Sequence, residues 1–223
     1  MQKQFTRDQI DRLEQRYRAN LINSLSGFKS ANLIGTRNAE GNTNLCIVSS
    51  VFHVGANPPL MGMLMRPHTV VRDTLSNLKT TGEFTINHVN SNMLLQAHQT
   101  SARYESDVSE FEQTNLTQEF SQGIKAPYVA EAKIKIGLKV KSIQLIELNK
   151  TELVIGEIIE LFLPSTIIAD DGYLDIEAAH SICVSGLDSY HNTSRIDRLS
   201  YAKPESQPSS IWKPPKTKDF DIC

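Results

Sequence analysis

The chain has 223 residues, 39% of them hydrophobic and 22% charged, with a formal net charge of −2. That balance excludes a disordered chain and a nucleic-acid binder held by bulk electrostatics. No apolar run approaches the roughly 20 residues needed to span a bilayer, and the polar start MQKQFTRDQIDRLEQRYR is not a secretory signal. A cytoplasmic protein with no nucleic-acid or membrane partner is therefore expected. It is read as one domain over 1–223, with an N-terminal helix at about 6–26 and an extended C-terminal tail at about 203–223.

Thr6 is followed three residues later by Gln9, the pattern of a capping box. Ile10, Leu13, Tyr17 and Leu21 then recur on one helical face, and Gly27 ends the element. A strand is predicted over 31–36. Asn38 and Gly41 supply turn chemistry for a hairpin to 44–50, and both runs are apolar enough to be covered on both faces. Asn57, Pro58 and Pro59 break the chain in a loop before a second apolar run over 60–65. After Arg66 and Pro67, the spacing of Val70, Val71, Leu75 and Leu78 predicts a helix over 70–79, with Thr69 as N-cap and Gly82 just past the end. A helix start placed there offers free N–H groups to an anion. A strand over 83–89 follows.

Asn90 or Ser91 caps a further helix over 92–99. The stretch 100–125 is polar and irregular, with a helical turn in 109–116. Ala132, Ile134, Ile136, Leu138 and Val140 alternate with Lys133, Lys135, Lys139 and Lys141. This predicts a strand with one buried face and one solvated lysine face. Another strand is predicted over 153–163, a turn at 170–172 and a weak helix over 174–182. The Pro- and Ser-rich tail reads as extended and suited to wrapping a neighbouring chain. Strands outnumber helices and do not alternate with them as βαβ units. The fold expected is mainly β: a β-barrel with peripheral helices.

There is no GxGxxG, GxxxxGK[ST] or GxSxG, so a Rossmann dinucleotide site, a P-loop and an α/β-hydrolase elbow are unsupported. The six histidines lack metal-ligand spacing, and no metal is expected. Cys46, Cys183 and Cys223 have no CxxC spacing, which fits a reduced compartment.

The segments Gly41-x-x-Asn44, Ser49-Ser50-Val51, Pro58-Pro59-Leu60, Arg66-Pro67, Thr74-x-x-Asn77 and Gly82-Glu-Phe-Thr-Ile-Asn87 occur in that order. Ser109-Glu-Phe111, Leu116, Ala126-Pro127 and Leu153-Val-Ile-Gly156-Glu157 follow. Together they resemble the flavin reductase-like family with its FMN-binding split-barrel fold. The resemblance runs from about residue 27 to about 201, and GFKSANLIGT (27–36) and AHQTSA (97–102) look typical of one branch. It implies a homodimer with FMN near the subunit interface. It also implies an NAD(P)H:flavin oxidoreductase that passes hydride from NADH or NADPH to flavin. The alternative is a non-catalytic FMN-binding or redox-responsive protein.

FMN asks for donors around a phosphate dianion and an apolar slot for its ring. Ser49, Ser50 and Val51, at the end of a buried strand, suit the cofactor or merely finish the strand. Asn44 suits the ring's polar edge or closes the Gly41 turn. Arg66, Thr69, Val70 and Arg72 surround the predicted helix start and suit the phosphate, or are surface residues whose arginines cover a helix end; His68 is a weaker candidate there. Lys29 and Ser30 are phosphate contacts through the resemblance. Asn87 suits ring or ribityl oxygens, or caps its strand. His98, Thr100 and Ser101 form a polar cluster within reach of a flavin or simply end a helix. Cys46 reads as a buried small hydrophobe. Hydride transfer between stacked rings needs no protein acid or base, so no catalytic residue is named.

Overall fold

The computed structural model describes residues 1–67 and 73–213. Two short helices, α1 (Arg7–Asp11) and α2 (Gln15–Ser24), open the chain. Five strands follow: β1 (Lys29–Ser30), β2 (Asn32–Arg37), β3 (Thr43–Val48), β4 (Phe52–Ala56) and β5 (Pro59–Met65). Helix α3 (Asp73–Thr81) leads into β6 (Glu83–His88), and α4 (Leu94–Gln99) and α5 (Glu110–Thr114) come next. The short strands β7 (Gln118–Glu119) and β8 (Tyr128–Val129) precede a long hairpin, β9 (Lys135–Ile146) and β10 (Thr151–Phe162). The last strands are β11 (Cys183–Ser185) and β12 (Ser189–His191).

The main sheet is seven-stranded and antiparallel, in the order β3-β2-β6-β9-β10-β5-β4. It curls so that the chain leaving edge strand β3 reaches β5, next to the other edge. Beyond β3, the Ser50 hydroxyl donates to the Leu64 carbonyl of β5 at 2.8 Å. One core fills the interior: Ile34 of β2, Met63 and Met65 of β5, Phe84 and Ile86 of β6, Leu138 of β9 and Val154 of β10, with Val48 and Val51 packed against them. This is a closed β architecture with helices outside it. A second small sheet, β1-β11-β12, flanks the barrel. It holds Lys29 opposite Val184.

Two glycines are dictated by close approach. A Cβ on Gly35 would lie 2.1 Å from the Pro127 carbonyl oxygen, and one on Gly137 2.1 Å from the Tyr128 phenol oxygen. At Gly82, φ is +70°, and its N–H closes α3 on the Leu78 carbonyl at 3.2 Å.

Several elements differ from expectation. The first helix is two helices. Thr6 makes the expected capping box with Gln9, but Glu14 has extended ψ and its carboxylate accepts from the Tyr17 N–H at 2.8 Å. A second N-cap inside the sequence ends the first helix. The stretch read as a loop after Val51 contains β4, whose Phe52 and Val54 face outward and are exposed. Residues 174–182 are not helical. The Asp175 carboxylate accepts from the Ala178 N–H at 3.2 Å, His180 sits at φ 57°, and Ser181 bridges to Asn90 beyond β6. The lysine face of β9 is solvated at Lys139 and Lys141, as expected, and it is also ion-paired: Lys135 with Glu119, Lys139 with Glu83 at 3.6 Å and Lys141 with Glu157 at 2.5 Å. The described part of the tail folds back on itself, with bridges Leu199–Ser210 and Lys203–Ser206. No helix among the described residues is long and apolar enough to cross a membrane.

Candidate functional site

A rim of polar groups forms where the barrel closes. Ser50 ties the end of β3 to Leu64. Arg66, two residues beyond Leu64, donates to the Asn23 side-chain oxygen of α2. The Lys29 ammonium donates to the Asn23 carbonyl at 3.1 Å and the Gly186 carbonyl at 2.9 Å. Next to Lys29, the Ser30 hydroxyl accepts from the Asn32 amide nitrogen at 2.8 Å, and Asn32 lies opposite Val48 in the β2–β3 ladder. The circuit Lys29, Ser30, Asn32, Val48, Ser50, Leu64, Arg66, Asn23 therefore returns to its start. Half-buried Ser49 and Val51 lie within it.

Two cations converge on Asn23, and the Lys29 pKa is lowered, first by burial and then by the Arg66 charge. An anion bound here would offset the repulsion between the two cations. An ammonium has three N–H donors; two of those of Lys29 meet carbonyls, which leaves one for a ligand among the described contacts.

Asn32 is fully buried at 0% exposure. Its Oδ1 is the one buried side-chain oxygen or nitrogen without a hydrogen-bond partner among the described residues. Neither Asn23 nor Asn32 was singled out in the sequence. The signal for Asn32 was present, a lone amide inside the apolar run SANLIG; Asn23 carried none.

Other predicted residues lie elsewhere. Asn87 does not face a site: it is fully buried, its Nδ2 donates to the Leu33 carbonyl at 3.2 Å and Thr85 Oγ1 at 2.9 Å, and its Oδ1 accepts from the Val129 N–H at 3.0 Å. It joins β8 to the barrel. Asn44 sits at the far end of β3, roughly 20 Å along the chain from Ser50 at strand rise. Its amide nitrogen donates to Thr36 at 3.1 Å and Thr74 at 2.9 Å, anchoring α3. The Gly41 turn is closed instead by Asn38, whose side chain accepts from the Asn42 N–H at 2.8 Å. Thr100 is buried and its hydroxyl donates to the Ala97 carbonyl at 2.8 Å, ending α4. Ser101 does the same for the His98 carbonyl at 2.7 Å. His98 is exposed, with its Nδ1 2.9 Å from the Tyr190 hydroxyl of β12, and so touches the small sheet that carries Lys29. Thr69, Val70 and Arg72, with His68, fall outside the described residues.

Two open clefts lie at the opposite end of β2, on either side of Arg37. The larger, about 520 Å³, is lined by Thr43, Asp107, Glu112 and Phe120; the smaller, about 330 Å³, by Thr81, Glu83 and Lys125. Both are about 17 Å from Asn32 at strand rise. No group of three or more His, Cys, Asp or Glu among the described residues is placed to hold a metal.

Residues 25–177 match the Flavin reductase like domain family. A crystal structure from Shewanella frigidimarina NCIMB 400, a split-barrel protein assigned to the flavin reductases, is 50% identical. It superposes with a TM-score of 0.87 over 90% of this chain and 100% of that one. Nitrilotriacetate monooxygenase component B from Bacillus cereus is 20% identical with a TM-score of 0.77, over 89% of this chain and 99% of that one. Flavoredoxin of Desulfovibrio vulgaris (Miyazaki F) is 21% identical with a TM-score of 0.66, over 81% and 92%. These last two share the fold. The family match, the barrel closed at Ser50 and the 50% identical relative agree: the chain belongs to the flavin reductase-like family, and it is a split-barrel oxidoreductase of flavin chemistry.

Proposed function

We propose that this chain binds FMN at the rim between Lys29, Ser50 and Arg66 and transfers hydride to it from NADH or NADPH. The observation that carries this reading is the meeting of Lys29 and Arg66 at Asn23, beside the hydroxyls of Ser30 and Ser50. A phosphate dianion is held by charge-assisted donors of this kind. The residues fit the group at its other end too. Asn32 Oδ1 is buried and needs a donor, and half-buried Val48 and Val51 supply apolar surface beside it. Bound there, the flavin would supply two-electron hydride chemistry. The chain's own work is to hold the phosphate with Lys29 and Arg66, to orient the ring at Asn32 and the serines, and to exclude water with the barrel wall. No side chain is assigned as an acid or base.

We further propose that the chain works as a homodimer in the cytoplasm, where thiols such as Cys183 stay reduced. Helix α2 has no buried residue, and Tyr17, Ile22, Leu25 and Phe28 around it are exposed. A ten-residue helix is marginal without a surface to pack on. A second copy supplies that surface.

The test is spectroscopic. The purified protein, incubated with FMN and freed of excess, is expected to be yellow, to bleach under nitrogen on addition of NADH or NADPH, and to recolour in air. With excess FMN it is expected to oxidise nicotinamide steadily. Failure to take up FMN overturns the reading; oxidation that stops at one bound equivalent favours a carrier.

A further inference from the structure

We infer that Asn32 Oδ1 accepts the N3–H of the flavin ring and so fixes which edge of the isoalloxazine enters the rim; this rests on the FMN reading above. Asn32 begins β2, between Val48 of β3 and His88 of β6 in the ladder. Its amide nitrogen is held by Ser30 Oγ at 2.8 Å, so the oxygen is the end left over. That oxygen is shut from solvent and has no donor among the described residues. Buried side-chain acceptors almost always have a donor, and an orphan calls for one. The neighbour on β6 does not supply it: His88 turns its Nδ1 to Ser181 Oγ at 3.2 Å.

The chemistry narrows the partner. A carbonyl oxygen only accepts. The oxidised isoalloxazine has a single ring N–H, at N3, flanked by two carbonyls that themselves accept.

The experiment compares FMN with 3-methyl-FMN, in which the donor is blocked, by fluorescence titration of the full chain. Wild type is expected to bind 3-methyl-FMN about tenfold or more weaker than FMN, the value of one buried hydrogen bond. In Asn32→Leu and in Asn32→Ser the two ligands are expected to bind alike, with FMN weakened. Without flavin, Asn32→Leu is expected to unfold at higher urea than wild type, because the orphaned oxygen is gone. Equal binding of both ligands by wild type overturns the inference, as a ribityl hydroxyl or a water donor would produce. So does discrimination that survives in the Asn32 variants. If wild type binds neither ligand, the FMN reading itself falls, and this inference with it.

Discussion

The Tyr128 phenol donates to Glu160 Oε1 at 2.6 Å, pinning β8 to the outer end of β10. Ser121 donates to the same oxygen, and the phenol occupies the space that Gly137 leaves open. Burial, then the Glu160 carboxylate, pushes the phenol's pKa up. Tyr128→Phe removes one buried bond to a charged acceptor and is expected to lower stability by about 1–3 kcal/mol. The urea midpoint should fall with no change in slope. In wild type the native phenol stays protonated above pH 10 while the unfolded one ionises. Stability should therefore fall as pH rises past 10, and the Phe variant should lack that component.

His88 gives a pH dependence of the opposite sense. Burial lowers its pKa from the ordinary 6.5 to about 4. Between those values the unfolded chain binds a proton that the native chain refuses. Its contribution is complete above pH 6.5 and is lost as pH falls towards 4. The loss approaches roughly 3 kcal/mol. Urea midpoints measured from pH 7 to 4 should drop steeply in wild type and less so in His88→Gln.

Gly35→Ala should be among the most damaging small substitutions in the barrel. Its Cβ would meet Pro127 O at 2.1 Å and Thr85 Oγ1 at 2.6 Å, and those two atoms are hydrogen-bonded to each other at 2.6 Å. Backbone must move, at a cost of about 3 kcal/mol or more. Gly55→Ala, whose Cβ comes only within 3.4 Å of Pro58 O, is the control, expected to change the melting temperature little.

The phosphate end of the rim is tested by the ratio of FMN to riboflavin affinity. Lys29→Met and Arg66→Met should each weaken FMN binding about tenfold or more, the value of a charge-assisted bond, and leave riboflavin almost unchanged. Because Lys29 also ties down the Asn23 and Gly186 carbonyls, affinity for both flavins falling equally would mean a structural role and would remove Lys29 from the phosphate site.

Trp212, the single tryptophan, carries the Arg195 guanidinium 3.6 Å from its ring centre. The same arginine pairs with Asp175 at 2.5 Å. Arg195→Ala should release the ring, seen as a red shift of tryptophan emission with the far-ultraviolet circular dichroism unchanged. An unshifted spectrum would show that other contacts seat the tail.

Local chemistry made much of the barrel legible. The β2–β3 hairpin announced itself through Asn38 and Gly41, β9 through its strict alternation, and the end of α3 through Gly82. What failed was decided by partners distant in sequence. β4 is five residues long and runs straight into the Asn57-Pro58-Pro59 break, and its apolar Phe52 and Val54 face away from the core. Asn87 looked like a strand-end ligand because nothing local revealed that Val129, 42 positions away, uses its oxygen. Lys29 was proposed only through a family likeness. Its actual setting depends on Gly186, 157 positions downstream, and on β11 and β12, which were too short to read. Asn32 was visible as a polar residue in an apolar run, but an oxygen without a partner is a property of packing.

The glutamates that answer Lys135, Lys139 and Lys141 also shape what a dissolved anion senses at a distance. Opposite charges a few ångströms apart cancel well inside the screening length of about 8 Å in physiological salt, so that flank of the barrel exerts almost no pull. Lys29 and Arg66 instead stand close to each other, both on Asn23. An anion's arrival there, and not only its residence, should then bear the imprint of ionic strength.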